Sequence, residues 1–273
     1  MTGARFLLRM AWREGRAARR RLWLLTGAVS AGVAALVAIN SFTTNLRASV
    51  QAQAKSLLGA DLVLSSRREL PERAEALVDT LVVAEDTSAA AGASARVVGF
   101  AGMAYVPRTE GIRLVQVQAV EPGYPFYGSI DTEPAGAWGS LQEGGKVLVD
   151  PSLITLFDAR VGDTLALGSA RLVIAGSVTN APGNIGFRSA LGPPVWIAHR
   201  DLAATGLLRF GSRADYATYV LLPSGRDAQA IAEEYRPVLR RERVGMRTVE
   251  DDRDDLTDAL TRLGNYLGLV ALI

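Results

Sequence analysis

Leu22 to Phe42 reads LWLLTGAVSAGVAALVAINSF, an apolar run without a charged residue. At about 1.5 Å of rise per residue it spans roughly 30 Å, the hydrocarbon thickness of a bilayer. It predicts a transmembrane helix over 22–42, with Trp23 at the headgroup level. Gly27 with Ala31, and Ala28 with Gly32, place small side chains four apart, which allows helix packing in the membrane; a composition rich in small residues gives the same pattern without that role. A cleaved signal peptide is the competing expectation, since Ala52-Gln53-Ala54 has the small-x-small form of a cleavage site. That site lies well past the run, and the run is too long for an ordinary signal, so an uncleaved anchor is expected.

Arg5, Arg9, Arg13, Arg16 and Arg20 recur at helical spacing and form one stripe. Residues 1–21 are therefore expected as a basic amphipathic helix on the inner membrane surface, its Arg side chains meeting lipid phosphates. A topogenic charge cluster without a defined helix is the plainer alternative. Either one sets the N-terminus in the cytoplasm. Beyond Phe42, Leu46, Val50, Ala54 and Leu57 keep the helical period, which predicts a stalk continuing the membrane helix to about Leu58, with Gly59 as its stop.

After the stalk, strands are expected at 60–66, 95–106 and 111–120, and a helix from Pro71 to Leu81. Pro, Gly and aromatic residues crowd 121–145, an irregular crossing. Short strands and tight turns follow: Lys146–Val149, a short helix after Pro151, and 163–167 with 170–175 around a Gly168-Ser169 turn. A strand at 216–222, a helix at 226–243, a short strand at 246–249 and a helix from Asp251 complete the pattern. That helix runs without a breaker into the apolar residues 263–273, expected as the start of a second transmembrane helix.

The net charge of +2 conceals a polarity. Seven Arg and one Glu precede Leu22, while 23 basic and 27 acidic residues follow it. The main domain is thus slightly acidic, which argues against nucleic acid as its partner. Cysteine is absent, which excludes disulfides, thiolate metal sites and a Cys nucleophile. His199 is the one histidine, no Gly-x-Ser-x-Gly elbow accompanies it, and an ordinary structural role is expected. Gly139 to Lys146 approaches a phosphate loop, but Val147 stands where Ser or Thr must bind magnesium. The acidic run Glu250 to Asp255 could hold a cation, though such runs are more often solvated helix starts. No catalytic, cofactor-binding or metal-binding residue is assigned.

Several stretches in order carry a resemblance to a known family: Ala11-Trp-Arg-Glu-Gly15, Leu58-Gly-Ala-Asp-Leu-Val-Leu-Ser65, Val115-Gln-Val-Gln-Ala-Val-Glu-Pro-Gly-Tyr-Pro-Phe-Tyr-Gly128, Val161-Gly-Asp-Thr-Leu165 and Gly211-Ser-Arg213. The resemblance covers nearly the whole chain. The chain resembles the first unit of FtsX-like/MacB-like ABC transporter permeases of the YbbP type. The Pro-Gly-Asn-Ile-Gly stretch within Ala181 to Ala190 departs from that pattern, with no role assigned.

The resemblance implies a membrane-anchored α+β fold. A transmembrane helix and stalk lead to a periplasmic core domain over 43–262, with an α/β membrane-proximal part at about 43–120 and 214–262 and an inserted β-rich subdomain at about 121–213. The residue pattern agrees, since α/β signals flank a strand-and-turn middle. The family implies a non-catalytic permease subunit, multi-pass in the bacterial inner membrane. It relays the closure of a separate cytoplasmic ABC ATPase dimer to the periplasmic domain. ATP and magnesium belong to that partner. Lipids, lipoproteins or other hydrophobic molecules are the expected substrates, membrane lipids are contacts, and a periplasmic esterase is an associated partner. The topology alone equally suits a transmembrane sensor with a periplasmic ligand-binding domain.

Overall fold

The computed structural model describes residues 23–34, 37–38, 41, 55–56, 58–83, 91–181, 192–209, 211–254 and 262. The chain divides into two units, one of Met1–Ala52 with Arg253–Ile273 and one of Gln53–Asp252.

In the first unit, residues 23–34 are helical, with exposed Trp23, Leu24, Leu25, Val29 and Val33. Among the described residues no helix is long and apolar enough to cross a membrane, and the span expected over 22–42 extends past them. Gly27, Ala28, Ala31 and Gly32 lie on this helix, and a Cβ added at Gly27 or Gly32 would meet nothing within 4 Å. The Arg5, Arg9, Arg13, Arg16 and Arg20 stripe, the stalk positions Leu46, Val50, Ala54 and Leu57, and 263–273 lie outside the described residues, as does all of Ala181 to Ala190 except Ala181.

The second unit begins with an antiparallel sheet in the order β10 (Gly245–Thr248), β1 (Leu62–Ser66), β9 (Asp215–Leu221) and β2 (Ala93–Val106). Period-two alternation sends Leu62 and Leu64 to one face and Val63 to the other. Two amphipathic helices, α1 (Glu72–Val82) and α4 (Ala228–Arg241), cover the first face. Ala74, Val78, Leu81, Ala232 and Leu239 pack there against Leu62, Leu64, Val220 and Met246. Pro71 is the N-cap of α1, whose first-turn Glu72 and Glu75 suit the positive end of a helix.

β2 then leaves this sheet. Its residues 93–99 pair with β9, whereas Ala104 and Tyr105 pair with β6 (Thr164–Leu167). From there β2, β3 (Gly111–Val120), β8 (Pro194–Ala198), β5 (Lys146–Val149), β7 (Ala170–Asn180) and β6 close on themselves as a barrel. β4 (Asp131–Glu133) extends it beyond β7. Inward positions alternate along each strand: Val98, Phe100, Ala104 and Val106 on β2, Val115, Val117 and Ala119 on β3, Leu165 and Leu167 on β6, Val195 and Ile197 on β8. Leu153 and Phe157 of α3 (Pro151–Phe157) join that core. Asp150 caps α3 by accepting from Ser152 N–H at 2.8 Å, and Pro151 takes the first helical position.

The strands expected with the flanking α/β part therefore serve both parts, since β2 and β3 form two walls of the barrel. The irregular crossing contains β4 and α2 (Ala137–Leu141). Its Tyr124, Phe126, Trp138 and Leu141 cover an apolar face formed by Val97, Val120, Leu148, Trp196, Ala217 and Tyr219.

Candidate functional site

Two polar arrangements stand out against these apolar faces. The first lies where the chain enters the domain. Lys55, Ser56 and Leu58 are helical, and Gly59 ends the turn at φ +77°, donating its N–H to Lys55 O at 2.9 Å. That left-handed conformation is the one glycine adopts without a Cβ clash. The Gly59 carbonyl accepts from the N–H groups of Phe126 and Tyr127, at 2.9 and 3.3 Å.

Asp61, 8% exposed, sits beside it. Lys55 Nζ donates to Asp61 Oδ1 at 3.1 Å, the Tyr127 hydroxyl lies 3.0 Å from both carboxylate oxygens, and Leu222 N–H donates to Oδ2 at 3.0 Å. The ammonium also stands 5.0 Å from the centre of the Tyr127 ring. The hydrogen bond to Asp61 raises the Lys55 pKa above its ordinary value. Burial, reinforced by Asp61, raises that of Tyr127. A buried carboxylate persists only when donors replace its lost water. Here they come from three segments: the helical turn before Gly59, the crossing, and the residue after β9.

The second arrangement is a cleft of about 640 Å³ at the waist, where β2 and β3 pass from sheet to barrel. β3 turns Val115, Val117 and Ala119 into the barrel, so Gln116 and Gln118 face outward beside Gly99 of β2. Gly99 pairs with Gln118, and a Cβ there would lie 3.3 Å from the Gln118 amide. Glycine thus makes room for the amides to lie over the strand. Gln116 is 6% exposed, and its Oε1 is buried with no hydrogen-bond partner among the described residues. Ser65, Ser66, Arg67 and Arg68 at the end of β1 form one wall, Asp215 and Tyr216 of β9 another, and Arg243 completes the rim. Arg68 donates to Glu242 O at 3.2 Å. A wider trough of about 1250 Å³ shares Arg67, Arg68 and Tyr216 and extends toward α1 and residues 199–212. Its charges are mixed, with Glu69, Glu72 and Glu75 facing Arg96 and Arg209.

The other sequence candidates fall elsewhere. His199 starts a short 3-10 turn (His199–Asp201) after β8, lines the trough, and keeps Nδ1 buried without a partner among the described residues. Gly144 and Gly145 belong to a turn before β5, held by Asp201 accepting from Gly145 N–H at 2.9 Å. Asp251 exchanges bonds with Thr248: its carboxylate accepts from Thr248 N–H at 2.9 Å, and its own N–H donates to Thr248 Oγ1 at 3.1 Å, a reciprocal helix cap. Asp251 also pairs with Arg236, and Asp252 with Arg247 at 3.4 Å. Among the described residues no group of three or more His, Cys, Asp or Glu is placed to hold a metal ion.

Sequence reasoning missed both polar arrangements. Two signals were present. One is the Val-Gln-Val-Gln alternation at 115–118, which puts amides where a two-sided strand should be apolar. The other is that Lys55 and Lys146 are the two lysines of an Arg-rich chain, and each makes a short ion pair, at 3.1 and 2.6 Å.

Comparison with known proteins adds the following. The profile of the MacB-like periplasmic core domain matches residues 22–238. An uncharacterized ABC transporter permease of Escherichia coli (strain K12), YbbP, is 30% identical over 214 residues, covering 77% of this chain and 24% of that protein. The chain thus spans about a quarter of that relative's length. Among solved structures, the periplasmic region of MacB from Actinobacillus actinomycetemcomitans aligns at 11% identity over 74% of this chain and 95% of its own, with a TM-score of 0.46. The extracellular domain of the noncanonic ABC-type transporter YknZ from Gram-positive bacteria aligns at 8% identity over 68% and 100%, with a TM-score of 0.43.

Proposed function

Because this chain belongs to the MacB-like periplasmic core domain family of FtsX-like/MacB-like ABC transporter permeases, we propose that it is the part of such a permease that carries ATP-driven motion to the outer side of the inner membrane. Residues 22–42 span the bilayer from a cytoplasmic N-terminus, the stalk continues that helix, and the domain at 53–252 is periplasmic. Residues 263–273 open a second spanning helix of a multi-pass protein. A separate cytoplasmic ABC ATPase dimer holds ATP and magnesium. The permease has no catalytic centre of its own and works on lipids, lipoproteins or other hydrophobic molecules, with a periplasmic esterase as an associated partner.

One observation supports the relay above the rest. Asp61 fastens the helical turn at 55–58 to β1, β9 and the crossing at once. A displacement of that turn is therefore shared by three parts of the domain rather than absorbed in a loose loop. A helical rod ending in such a fastening transmits movement; a flexible tether would dissipate it.

Inserting two glycines between Phe42 and Val50 tests this. In the full-length protein with its ATPase, ATP turnover should continue while outward transport falls to background. Unchanged transport in the insertion variant would overturn the relay. Purification of the full-length protein from membranes should also bring down an ABC ATPase and bound lipid.

A further inference from the structure

We propose that the waist cleft is a binding site for a small phosphorylated polyol, either free or as the headgroup of a lipid. The chemistry of the lining selects this class. Gln116 lines the cleft, and its buried carbonyl oxygen is given no donor by the protein among the described residues. An orphaned buried acceptor destabilises the fold, so a ligand hydroxyl that reaches it recovers that loss. At the rim stand Arg67 and Arg243, whose side chains make no hydrogen bond or ion pair among the described residues, and Arg68, whose side chain donates to the backbone carbonyl of Glu242. Asp215 is the one acid in the lining. Three guanidinium groups against one carboxylate favour an oxyanion such as phosphate, whose oxygens accept bidentate bonds. Arg243 holds a left-handed backbone conformation, φ +61°, uncommon for a long side chain.

The lining therefore asks for an anion beside the arginines and a hydroxyl beside Gln116 in a single molecule. The volume, about 640 Å³, falls in the range of small-ligand sites and exceeds what a bare oxyanion fills. Gly99 contributes by absence, since a side chain there would crowd the Gln118 amide. The site stands independently of the relay proposed above, because it needs neither an ATPase nor a moving stalk.

Calorimetric titration of the full chain in neutral detergent tests this. The probes are sn-glycerol 3-phosphate, dihexanoyl phosphatidylglycerol below its micellar concentration, and inorganic phosphate. One equivalent of glycerol 3-phosphate or of the short-chain lipid should bind, more weakly as salt rises. Arg67→Ala with Arg243→Ala should lower the affinity at least tenfold, and Gln116→Leu by roughly tenfold. Binding of the lipid alone identifies a headgroup source; binding of glycerol 3-phosphate, with or without the lipid, identifies the free ester as sufficient. Failure of both organic probes overturns the proposal. So does inorganic phosphate binding as tightly as either while Gln116→Leu changes nothing, which would mean an adventitious ion only. Should Gln116→Leu fail to fold, the two rim arginines, both exposed, decide the matter.

Discussion

Asp61 gathers several segments of the second unit on one side chain. It is buried, and three donors from distant segments end on it. Replacing it with alanine strands the buried Leu222 N–H and takes the acceptor from the half-buried Tyr127 hydroxyl. Asp61→Ala should cost about 2–4 kcal/mol in chemical denaturation, well above the effect of an ordinary surface ion pair. Lys55 gives the same cluster a dependence on pH. Its folded pKa is raised by Asp61, so its contribution is complete below the ordinary lysine pKa and fades as pH climbs through the folded value. The difference in melting temperature between the wild type and Lys55→Met should hold constant through neutral pH and shrink above about pH 10.5. A difference that grew with alkalinity would reverse the assigned sign.

Among the elements, the β6–β7 hairpin shows how tightly the barrel is closed. Gly168 turns it at φ +59°, and a Cβ there would stand 2.1 Å from the Thr205 carbonyl oxygen and 2.8 Å from Leu207. Gly168→Ala combines a strained backbone with a clash against main chain, and should destabilise by about 2–4 kcal/mol in thermal melts. Leu165, fully buried on β6, should lose about 2–5 kcal/mol on truncation to alanine through the cavity it leaves.

The strands and turns of this region were legible in the sequence because alternation and glycine are local signals. Strands at 95–106, 111–120, 146–149 and 216–222 lie within a few residues of the observed elements, and Pro71 and Pro151 mark helix starts. Closure of the barrel was not legible. It rests on Ala104 and Tyr105 meeting Leu167 and Ala166, some sixty positions apart, which no local period encodes. β4 and α2 escaped for another reason: they are short, and Gly, Pro and aromatic residues surround them. The Asp61 cluster and the waist cleft were hidden likewise, since Lys55, Asp61, Tyr127 and Leu222 gather only after the crossing has folded back.

At the scale of the whole molecule, residues 53–252 form one compact unit with its own apolar cores. Expressed by itself, a 53–252 fragment should unfold in one cooperative transition seen alike by circular dichroism and by Trp fluorescence. Separate transitions for sheet and barrel would show that the shared β2 and β3 do not couple them.

That sharing governs what is left open along the rims of the strands. The six strands wrapped into a ring have no outermost member among themselves, so the outer margins fall to short strands beyond it. The two outermost strands of the strand order are β10, four residues long, and β4, three. Neighbouring copies crowded on one surface would find little unpaired backbone to extend from one molecule into the next, so the architecture carries its own protection against fibrous association.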